Sequence, residues 1–444
     1  MQSWKKALKV RGAVVARAGV VALLASMLGW SVGGAQTALP GGVAASAVIA
    51  VDHGPNALVQ QGKHYVILVS LDGFRWDYAT KYKATHLLAM AKDGASAPEG
   101  MIPSYPSVTF PNHYTLVTGL YPEHHGIVAM DFLSEDHARH YRYSDSKTNG
   151  DGSWYGGTPL WVLAEQQGMR AACFFWPGSE AAIDGVRPSF YLHYDDKLPN
   201  PDRVDQVLAW LKLPEAQRPH FVTLYFADVD HAGHSFGPDA PETAAAVKSL
   251  DSMIARLRTG IAALHLPVDL VVVSDHGMIK TEGDWINLST YADVSDPSQV
   301  HTAGSLLYPE NEAEAQKLYS ALKIANPDFK VYRRADVPKE LHYNSNPREG
   351  DPVIVPTAPV AIRAAAPESG KPDHAPNAGS HGYDPAQFKE MRAIFFAEGP
   401  DVRAGIALKP FENVNVYPFI AEILGLEAPP VDGSANVLAP ALKH

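Results

Sequence analysis

Residues 64–73, HYVILVSLDG, decide the fold, because a near-continuous apolar run, His64–Leu71, is followed at once by Asp72 and Gly73. A run of this kind is typical of a central parallel strand that is covered on both faces. Similar runs recur at residues 171–176, 220–226, 268–273 and 391–397.

Helix-like stretches lie between these runs, at residues 85–92, 111–119, 158–167, 202–211, 241–261, 313–324 and 417–424. Strands that alternate with helices predict an α/β fold with a largely parallel central sheet and helices on both faces. Residues 280–380 are richer in proline, asparagine and charge, with strand-like pieces at 330–333 and 353–355. We interpret them as a small cap-like insertion before the last strands, inside one catalytic domain at residues 63–444.

The N-terminus resembles a secretory signal. Its basic residues, Lys5, Lys6, Lys9, Arg11 and Arg17, precede an apolar run at 18–32 and small residues at 33–35. This order predicts a signal peptide at residues 1–35, cleaved after Ala35, and a periplasmic or extracellular protein. The alternative is an uncleaved membrane anchor, but the run is short for a bilayer span. Residues 36–62 are expected to be a linker or a loosely ordered lead-in.

The charge balance limits the partners of the mature chain. Without residues 1–35, 32 basic residues face 48 acidic ones, a net charge of −16. Such a surface repels polyanions, so nonspecific binding to nucleic acids or to anionic membranes is not expected. The single cysteine, Cys173, cannot form an internal disulfide and lies in an apolar run, which predicts a buried side chain.

Candidate metal ligands follow or precede the apolar runs. They are Asp72 after the first run, Asp230 and His234 after the third, Asp275 and His276 after the fourth, and His381 before the last. Ligand sites of open α/β sheets lie at the carboxyl ends of the strands. A lone aspartate at a strand end more often caps a turn. Carboxylates together with imidazoles are nevertheless the ligands of catalytic zinc, and six of them suit a pair of ions.

A candidate nucleophile lies in PSVTFPNH, residues 106–113. Pro111 fits the first turn of a helix, which places Thr109 at a helix N-terminus where an anion is favoured. A hydroxyl there, next to a cation, can attack phosphorus. The alternative is that Thr109 or Ser107 only caps the helix.

Nine motifs in order resemble the nucleotide pyrophosphatase/phosphodiesterase family of the alkaline phosphatase superfamily. They are SLDGFR (70–75), TFPNHY (109–114), LVTGLYPE (116–123), FFWPGSE (174–180), DHAGHSFGP (230–238), SDHGM (274–278), VYRR (331–334), GSHGYD (379–384) and NVYP (415–418). The resemblance implies a two-zinc hydrolase of phosphodiester or pyrophosphate bonds with a covalent phospho-threonine intermediate.

The resemblance also assigns roles to residues of this chain. Thr109 is implied as the nucleophile, in contact with both metals. Asp72, Asp275 and His276 match the ligands of the zinc that activates it, and Asp230, His234 and His381 match the ligands of the second zinc. The neighbouring His231, Asp228, His113, His124 and His125 are not placed on metal, and His113 is expected to serve the hydrogen bonding of the helix after Thr109.

Met130 departs from the family pattern. The resemblance implies an asparagine there that donates a hydrogen bond to the phosphoryl oxygen, and a thioether cannot donate. Three alternatives remain at this point. Another group of the chain donates in its place, the loop is shifted, or the activity or the substrate differs. Asp131 is adjacent to Met130 but would need a proton to donate.

Phe110 and Tyr225 match positions where family members hold a nucleobase between aromatic rings; both alternatively pack in the core. Trp154 and Tyr155 are further candidates for the pocket. The expected substrates are nucleotides and the products nucleoside monophosphates. The alternatives are a phosphodiesterase of phospholipid head groups, a phosphomonoesterase, and a zinc-holding binding protein without turnover.

Overall fold

The computed structural model describes residues 47–367 and 373–443, and its largest element is a nine-stranded sheet. In chain order the strands are β1 (Ile49–Ala50), β2 (Tyr65–Leu71), β3 (Ala95–Ser96), β4 (Ala171–Phe174), β5 (Phe190–Tyr191), β6 (Phe221–Phe226), β7 (Val268–Val273), β8 (Phe395–Glu398) and β9 (Ile406–Ala407). Across the sheet their order is β1-β5-β4-β6-β2-β7-β8-β3-β9.

The five strands β5, β4, β6, β2 and β7 are parallel to one another. Every residue of β2, β6 and β7 is buried, which explains why their sequences are apolar runs rather than alternating patterns. The predicted α/β class is therefore confirmed. The last predicted run begins later than expected, as β8, and pairs antiparallel with β7. An apolar run carries no information on strand direction.

Helices cover both faces of the sheet, as predicted. Those of seven residues or more in the described part are Thr85–Asp93, Thr109–Thr118, Leu160–Gln166, Asn200–Leu211, Asp228–Phe236, Pro241–Leu264, Glu312–Leu322 and Val416–Leu424. Val66 and Leu68 belong to a core that includes helices Thr109–Thr118 and Val416–Leu424. Ile67 and Val69, which point the other way, belong to a second core with helices Asn200–Leu211 and Pro241–Leu264.

Residues 279–380, which contain the predicted insertion at 280–380, form short paired strands. The pairs are Ile279–Lys280 with Gly379–Ser380, Ile286–Asn287 with Ile362–Arg363, Val300–Ala303 with Leu306–Pro309, and Phe329–Tyr332 with Val353–Pro356. This segment has an apolar cluster of its own, which includes Leu307, Leu318 and Phe329. The first pair joins the start of the insertion to its end.

The N-terminal expectations fall partly outside the described residues, which begin at 47. The predicted signal peptide, residues 1–35, lies outside them. Residues 47–62 differ from the expected loose lead-in, because β1 pairs with β5 at the sheet edge and a short helix spans Leu58–Gln61. A two-residue edge strand has too few positions to show a period in the sequence.

Two further features of the described residues bear on the sequence-based expectations. No helix among them combines the length and apolar character needed to cross a membrane. Cys173 lies in β4 with a fully buried side chain, and burial raises the pKa of its thiol. The expectation of a buried cysteine is confirmed.

Gly94, which ends helix Thr85–Asp93, gives a testable prediction about packing. A Cβ atom there would lie 2.0 Å from the Ala397 carbonyl oxygen of β8, so Gly94→Ala forces helix and sheet apart. We expect the free energy of unfolding to fall by about 2 kcal/mol, measured by denaturant titration. Gly62→Ala is the matched control, since Gly62 also ends a helix but has nothing within 4 Å of a Cβ, and its change should stay within about 0.5 kcal/mol. Equal effects of the two substitutions would contradict this account.

Candidate functional site

The candidate ligands meet at the carboxyl ends of the central parallel strands. Asp72 follows β2, Asp275 and His276 follow β7, and Asp230 and His234 lie on helix Asp228–Phe236 after β6. Because β6, β2 and β7 are adjacent and parallel, their carboxyl ends lie side by side. The sequence predicted Asp230 and His234 as candidate ligands after β6, but it did not predict the helix that carries them.

His381 lies directly after the end of the insertion. It directly follows Gly379–Ser380, whose partner strand, Ile279–Lys280, lies shortly after β7. The His381 ring stacks on the His276 ring with 3.6 Å between ring centroids. The end of the insertion thus contributes a side chain to the same centre as β7.

One group of side chains surrounds the Thr109 hydroxyl. The Thr109 Oγ1 atom lies 3.2 Å from His276 Nε2, which is 3.0 Å from Asp275 Oδ2 and 3.6 Å from Asp72 Oδ1. Asp72, Asp275 and His276 are buried at 1% exposure or less. The structure therefore brings together the four residues that the sequence assigned to the nucleophile and its metal.

A second group lies next to the first. His234 Nε2 is 3.1 Å from His381 Nε2, and Asp230 Oδ1 lies 3.4 Å from the first nitrogen and 3.6 Å from the second. Metal-ligating atoms of Asp230, His276 and His381 lie within 4.8 Å of one another, so the two groups are contiguous. All six candidate ligands therefore converge on one centre.

The unpaired atoms of this centre fit metal ions. Asp72 Oδ1, Asp230 Oδ1 and Asp275 Oδ2 are buried without a hydrogen-bond partner among the described residues. Buried carboxylates are costly unless they are paired or coordinate a metal. Burial, and the negative charges of Asp275 and Asp230, raise the pKa of Asp72 well above its usual value. Metal cations among these oxygens would offset the repulsion between the carboxylates and the cost of burying their charge.

The three histidines are oriented as metal ligands. The Nδ1 atoms of His234, His276 and His381 lie 2.8, 2.9 and 3.0 Å from the carbonyl oxygens of Gly379, Gly277 and Ser107. A carbonyl oxygen only accepts, so each Nδ1 donates and each Nε2 atom faces the centre. Backbone carbonyls commonly fix metal-binding histidines in this way.

Three residues outside the six candidate ligands support the centre, in roles that the sequence did not predict. Tyr225 was predicted for substrate, yet its hydroxyl donates to Asp72 Oδ2 at 2.6 Å. Ser70 donates to His113 Nε2 at 2.7 Å, and Ser107 supplies the carbonyl to His381 and donates its hydroxyl to the Tyr383 carbonyl. The one signal for Ser70 was a polar residue inside an apolar run.

The region around Thr109 shows that the threonine does not cap its helix. Helix Thr109–Thr118 has Val108 at its N-cap, without a side-chain cap hydrogen bond. His113 Nδ1 donates to the Thr109 carbonyl at 2.9 Å, which is the local role expected for this histidine. Met130 also lies at this helix start, because the Phe110 amide contacts its sulfur at 3.3 Å. The loop that carries Met130 is therefore not shifted away from the site.

The other neighbours lie away from the candidate ligands. Asp228 accepts a hydrogen bond from Asn200, His124 pairs with Asp432 at 2.7 Å, and His125 contacts Thr115. His231 is exposed, and Asp131 contacts His140. Trp154 and Tyr155 are buried in the core, and a place for them in the pocket stays a prediction.

The two residues predicted to hold a nucleobase each contact an exposed tyrosine. The Phe110 ring lies 5.6 Å from Tyr143, which is 46% exposed, and the Tyr225 ring lies 6.1 Å from Tyr194, which is 48% exposed. Phe110 is half-buried and Tyr225 is 8% exposed. Phe110 and Tyr225 therefore pack against neighbouring side chains and also lie beside exposed rings, which agrees with both the core and the substrate interpretation.

Comparisons with known proteins identify the family. The model of the type I phosphodiesterase / nucleotide pyrophosphatase family matches residues 66–384. Ectonucleotide pyrophosphatase/phosphodiesterase family member 3 of Mus musculus is 35% identical over 85% of this chain, which spans 44% of that relative's length. Family member 7 of Rattus norvegicus is 34% identical over 86% of this chain and 88% of its own length.

A solved structure is similar over the same region. Murine ectonucleotide pyrophosphatase / phosphodiesterase 5, an inactive form in complex with AMP, has a TM-score of 0.77 and 30% identity. The match covers 86% of this chain and 100% of that one. The chain therefore belongs to the type I phosphodiesterase/nucleotide pyrophosphatase family.

Proposed function

We propose that the chain is an exported two-zinc hydrolase that cleaves phosphodiester or pyrophosphate bonds of nucleotides and releases nucleoside monophosphates. One observation carries the proposal: the Thr109 hydroxyl, at the start of a helix, lies 3.2 Å from His276 within a centre of six candidate metal ligands. A hydroxyl in that position has both an anion-favouring helix end and candidate cation ligands beside it.

The ligands divide between two ions. Asp72, Asp275 and His276 would hold the ion beside Thr109, and Asp230, His234 and His381 would hold the other. Zinc bound there would supply positive charge that favours an ionised hydroxyl and offsets charge on the phosphoryl oxygens. Mixed carboxylate and imidazole ligands suit zinc, although manganese and iron accept the same set.

The reaction has two displacements at phosphorus. The Thr109 hydroxyl loses its proton to the leaving oxygen or to solvent water, and its oxygen forms a bond to phosphorus while the bond to the leaving oxygen breaks. This step yields a phospho-threonine and the released alcohol or phosphate. Water then attacks the same phosphorus, the Thr109 oxygen leaves and regains a proton, and the monophosphate departs. The Phe110 amide contributes at the helix N-terminus, since the Met130 sulfur that it now contacts is a weak acceptor that a phosphoryl oxygen can displace.

Nucleotide substrates are supported by the similar murine structure, which is in complex with AMP. In this chain the pairs Phe110–Tyr143 and Tyr194–Tyr225 supply aromatic surface near the centre. Stacking of a base on such a ring contributes about 1–3 kcal/mol. Export is supported by the predicted signal peptide and by relatives whose names designate ectonucleotide enzymes.

Replacement of the nucleophile tests the proposal. We expect zinc-loaded wild-type protein to hydrolyse a chromogenic phosphodiester faster than the matching phosphomonoester. Thr109→Ala should lower the diester rate by at least about 1,000-fold and keep the bound zinc, because six other side chains supply the coordination.

Thr302→Ala is the control, since Thr302 is an exposed threonine on the insertion hairpin. Unchanged turnover in Thr109→Ala would exclude the mechanism. Preference for the monoester would instead favour a phosphatase, and zinc without turnover on either substrate would favour a binding protein.

Tyr225→Phe separates the two roles of this residue. The substitution removes the hydrogen bond to Asp72 but keeps the ring, so we expect zinc affinity to fall by about 10-fold while KM for a nucleotide diester hardly changes. Zinc affinity is measured by competition with a chelator. Tyr194→Phe is the control, because Tyr194 makes no contact with a candidate ligand through its hydroxyl in the described structure. A changed KM with normal zinc binding would assign Tyr225 to substrate instead.

Met130→Asn tests whether a donor is missing at this position. The amide would stand where the Met130 sulfur contacts Phe110, and we expect kcat on the diester to rise by up to about 100-fold. Met130→Leu keeps an apolar side chain without a donor and should stay near wild type. If Met130→Asn also stays near the wild-type rate, another group of the chain already stabilises the phosphoryl oxygen.

A further inference from the structure

A second cluster of side chains that can bind a metal ion lies at the other end of the central strands, where β2 and β7 begin. His64 directly precedes β2, Asp269 is the second residue of β7, and Asp401 lies in the turn after β8. These three strands are adjacent in the order β2-β7-β8. Asp269 and Asp275 are six residues apart along one strand, so the cluster lies about 20 Å from the candidate active centre.

The three side chains converge closely. One ring nitrogen of His64 and one carboxylate oxygen each of Asp269 and Asp401 lie within 4.8 Å of one another. His64 Nδ1 is 2.5 Å from Asp401 Oδ2, and the Asp401 amide donates to Asp269 Oδ1 at 3.0 Å. The turn that carries Gly399 and Asp401 lies close against β7. A Cβ atom on Gly399, at φ +149°, would lie 2.3 Å from Asp269 Oδ1.

Asp269 is the unusual member of the cluster. It is fully buried in the central sheet, and its Oδ2 atom has no hydrogen-bond partner among the described residues. The nearby cation Lys443 directs its ammonium group to the carbonyl oxygens of Gly399 and Pro400 instead. A buried carboxylate oxygen of this kind is stabilised by a proton or by a metal ion.

We propose that His64, Asp269 and Asp401 bind a divalent cation of the zinc class, in addition to the ions of the candidate active centre. One imidazole and two carboxylates form a mixed ligand set that zinc accepts, whereas calcium and magnesium favour oxygen ligands alone. His64 and Asp401 are about one-third exposed, which leaves a path for the ion and room for a water ligand. The ion joins the starts of β2 and β7 to the turn after β8 and is structural.

The rival occupant is a proton. Burial, together with the negative charge of Asp401, raises the pKa of Asp269 to about 7, so a proton shared by the two carboxyl groups would also satisfy the unpaired oxygen. A proton and a metal ion differ in one measurable respect, because only the ion adds to the metal content of the protein.

The experiment counts zinc per chain. The purified full chain is stripped with a chelator, reloaded with zinc, dialysed and analysed by mass spectrometry of the metal. We expect Asp269→Asn and His64→Ala each to lose one equivalent relative to wild type and to retain phosphodiester turnover. His193→Ala is the matched control, since His193 Nδ1 also lies 2.5 Å from a carboxylate oxygen, Glu180 Oε2, but belongs to no group of three candidate ligands among the described residues.

The deciding quantity is the difference between wild type and variant, so the result does not depend on the ions of the candidate active centre. Loss of one equivalent in both variants, with none lost in the control, supports the site. Equal zinc content in wild type and both variants overturns it and leaves the proton as occupant. If Asp269→Asn does not fold, His64→Ala and Asp401→Asn decide in the same way, because both residues lie at the surface.

Discussion

Mutual repulsion among Asp72, Asp230 and Asp275 is the constraint on which the candidate active centre depends. The parallel pairing of β6, β2 and β7 brings these carboxylates together at the carboxyl ends of the strands, where each has a buried oxygen without a hydrogen-bond partner in the part of the chain that the structure describes. Like charges in a buried site cannot all stay ionised without compensation. Among the described residues, no lysine or arginine nitrogen lies within 4.0 Å of these carboxylates, and each of the three candidate histidine ligands commits its Nδ1 to a backbone carbonyl. Metal cations would supply the remaining positive charge, and their binding would then connect the stability of this region with its chemistry.

The same constraint connects the end of the insertion with the candidate active centre. His381 stacks on His276 and approaches Asp230, so its ring completes the centre from outside the sheet. Its Nδ1 donates to the Ser107 carbonyl, just before the helix that begins with Thr109. The insertion, the helix and the sheet therefore meet at one imidazole. A shift of the insertion would move both a candidate ligand and the residue that precedes the nucleophile helix.

The sequence could predict the central sheet, seven of the helices and the convergence of the six candidate ligands. Fully buried strands produce apolar runs, and polar residues at the ends of such runs point to one edge. The sequence could not predict β1, β3, β5 and β9, since two-residue strands depend on pairing with distant residues rather than on local pattern. It missed helix Asp228–Phe236, whose polar residues serve the centre instead of an apolar face. The second role of Tyr225 depends on the distance between β6 and β2, which no linear pattern records.

We expect the two ends of β2 and β7 to influence each other through strand register more than through charge. About 20 Å separates Asp269 from Asp275, which is more than two Debye lengths at physiological salt, so direct electrostatic influence between the exposed ends is weak. Strands β2 and β7, however, carry polar side chains at both ends, with His64 and Asp269 at one edge and Asp72 and Asp275 at the other. If the pairing of β2 with β7 shifted by one residue, Asp72 or Asp275 would turn to the opposite face of the sheet. Contacts that fix the starts of these strands therefore also fix the positions from which Asp72 and Asp275 face the Thr109 hydroxyl.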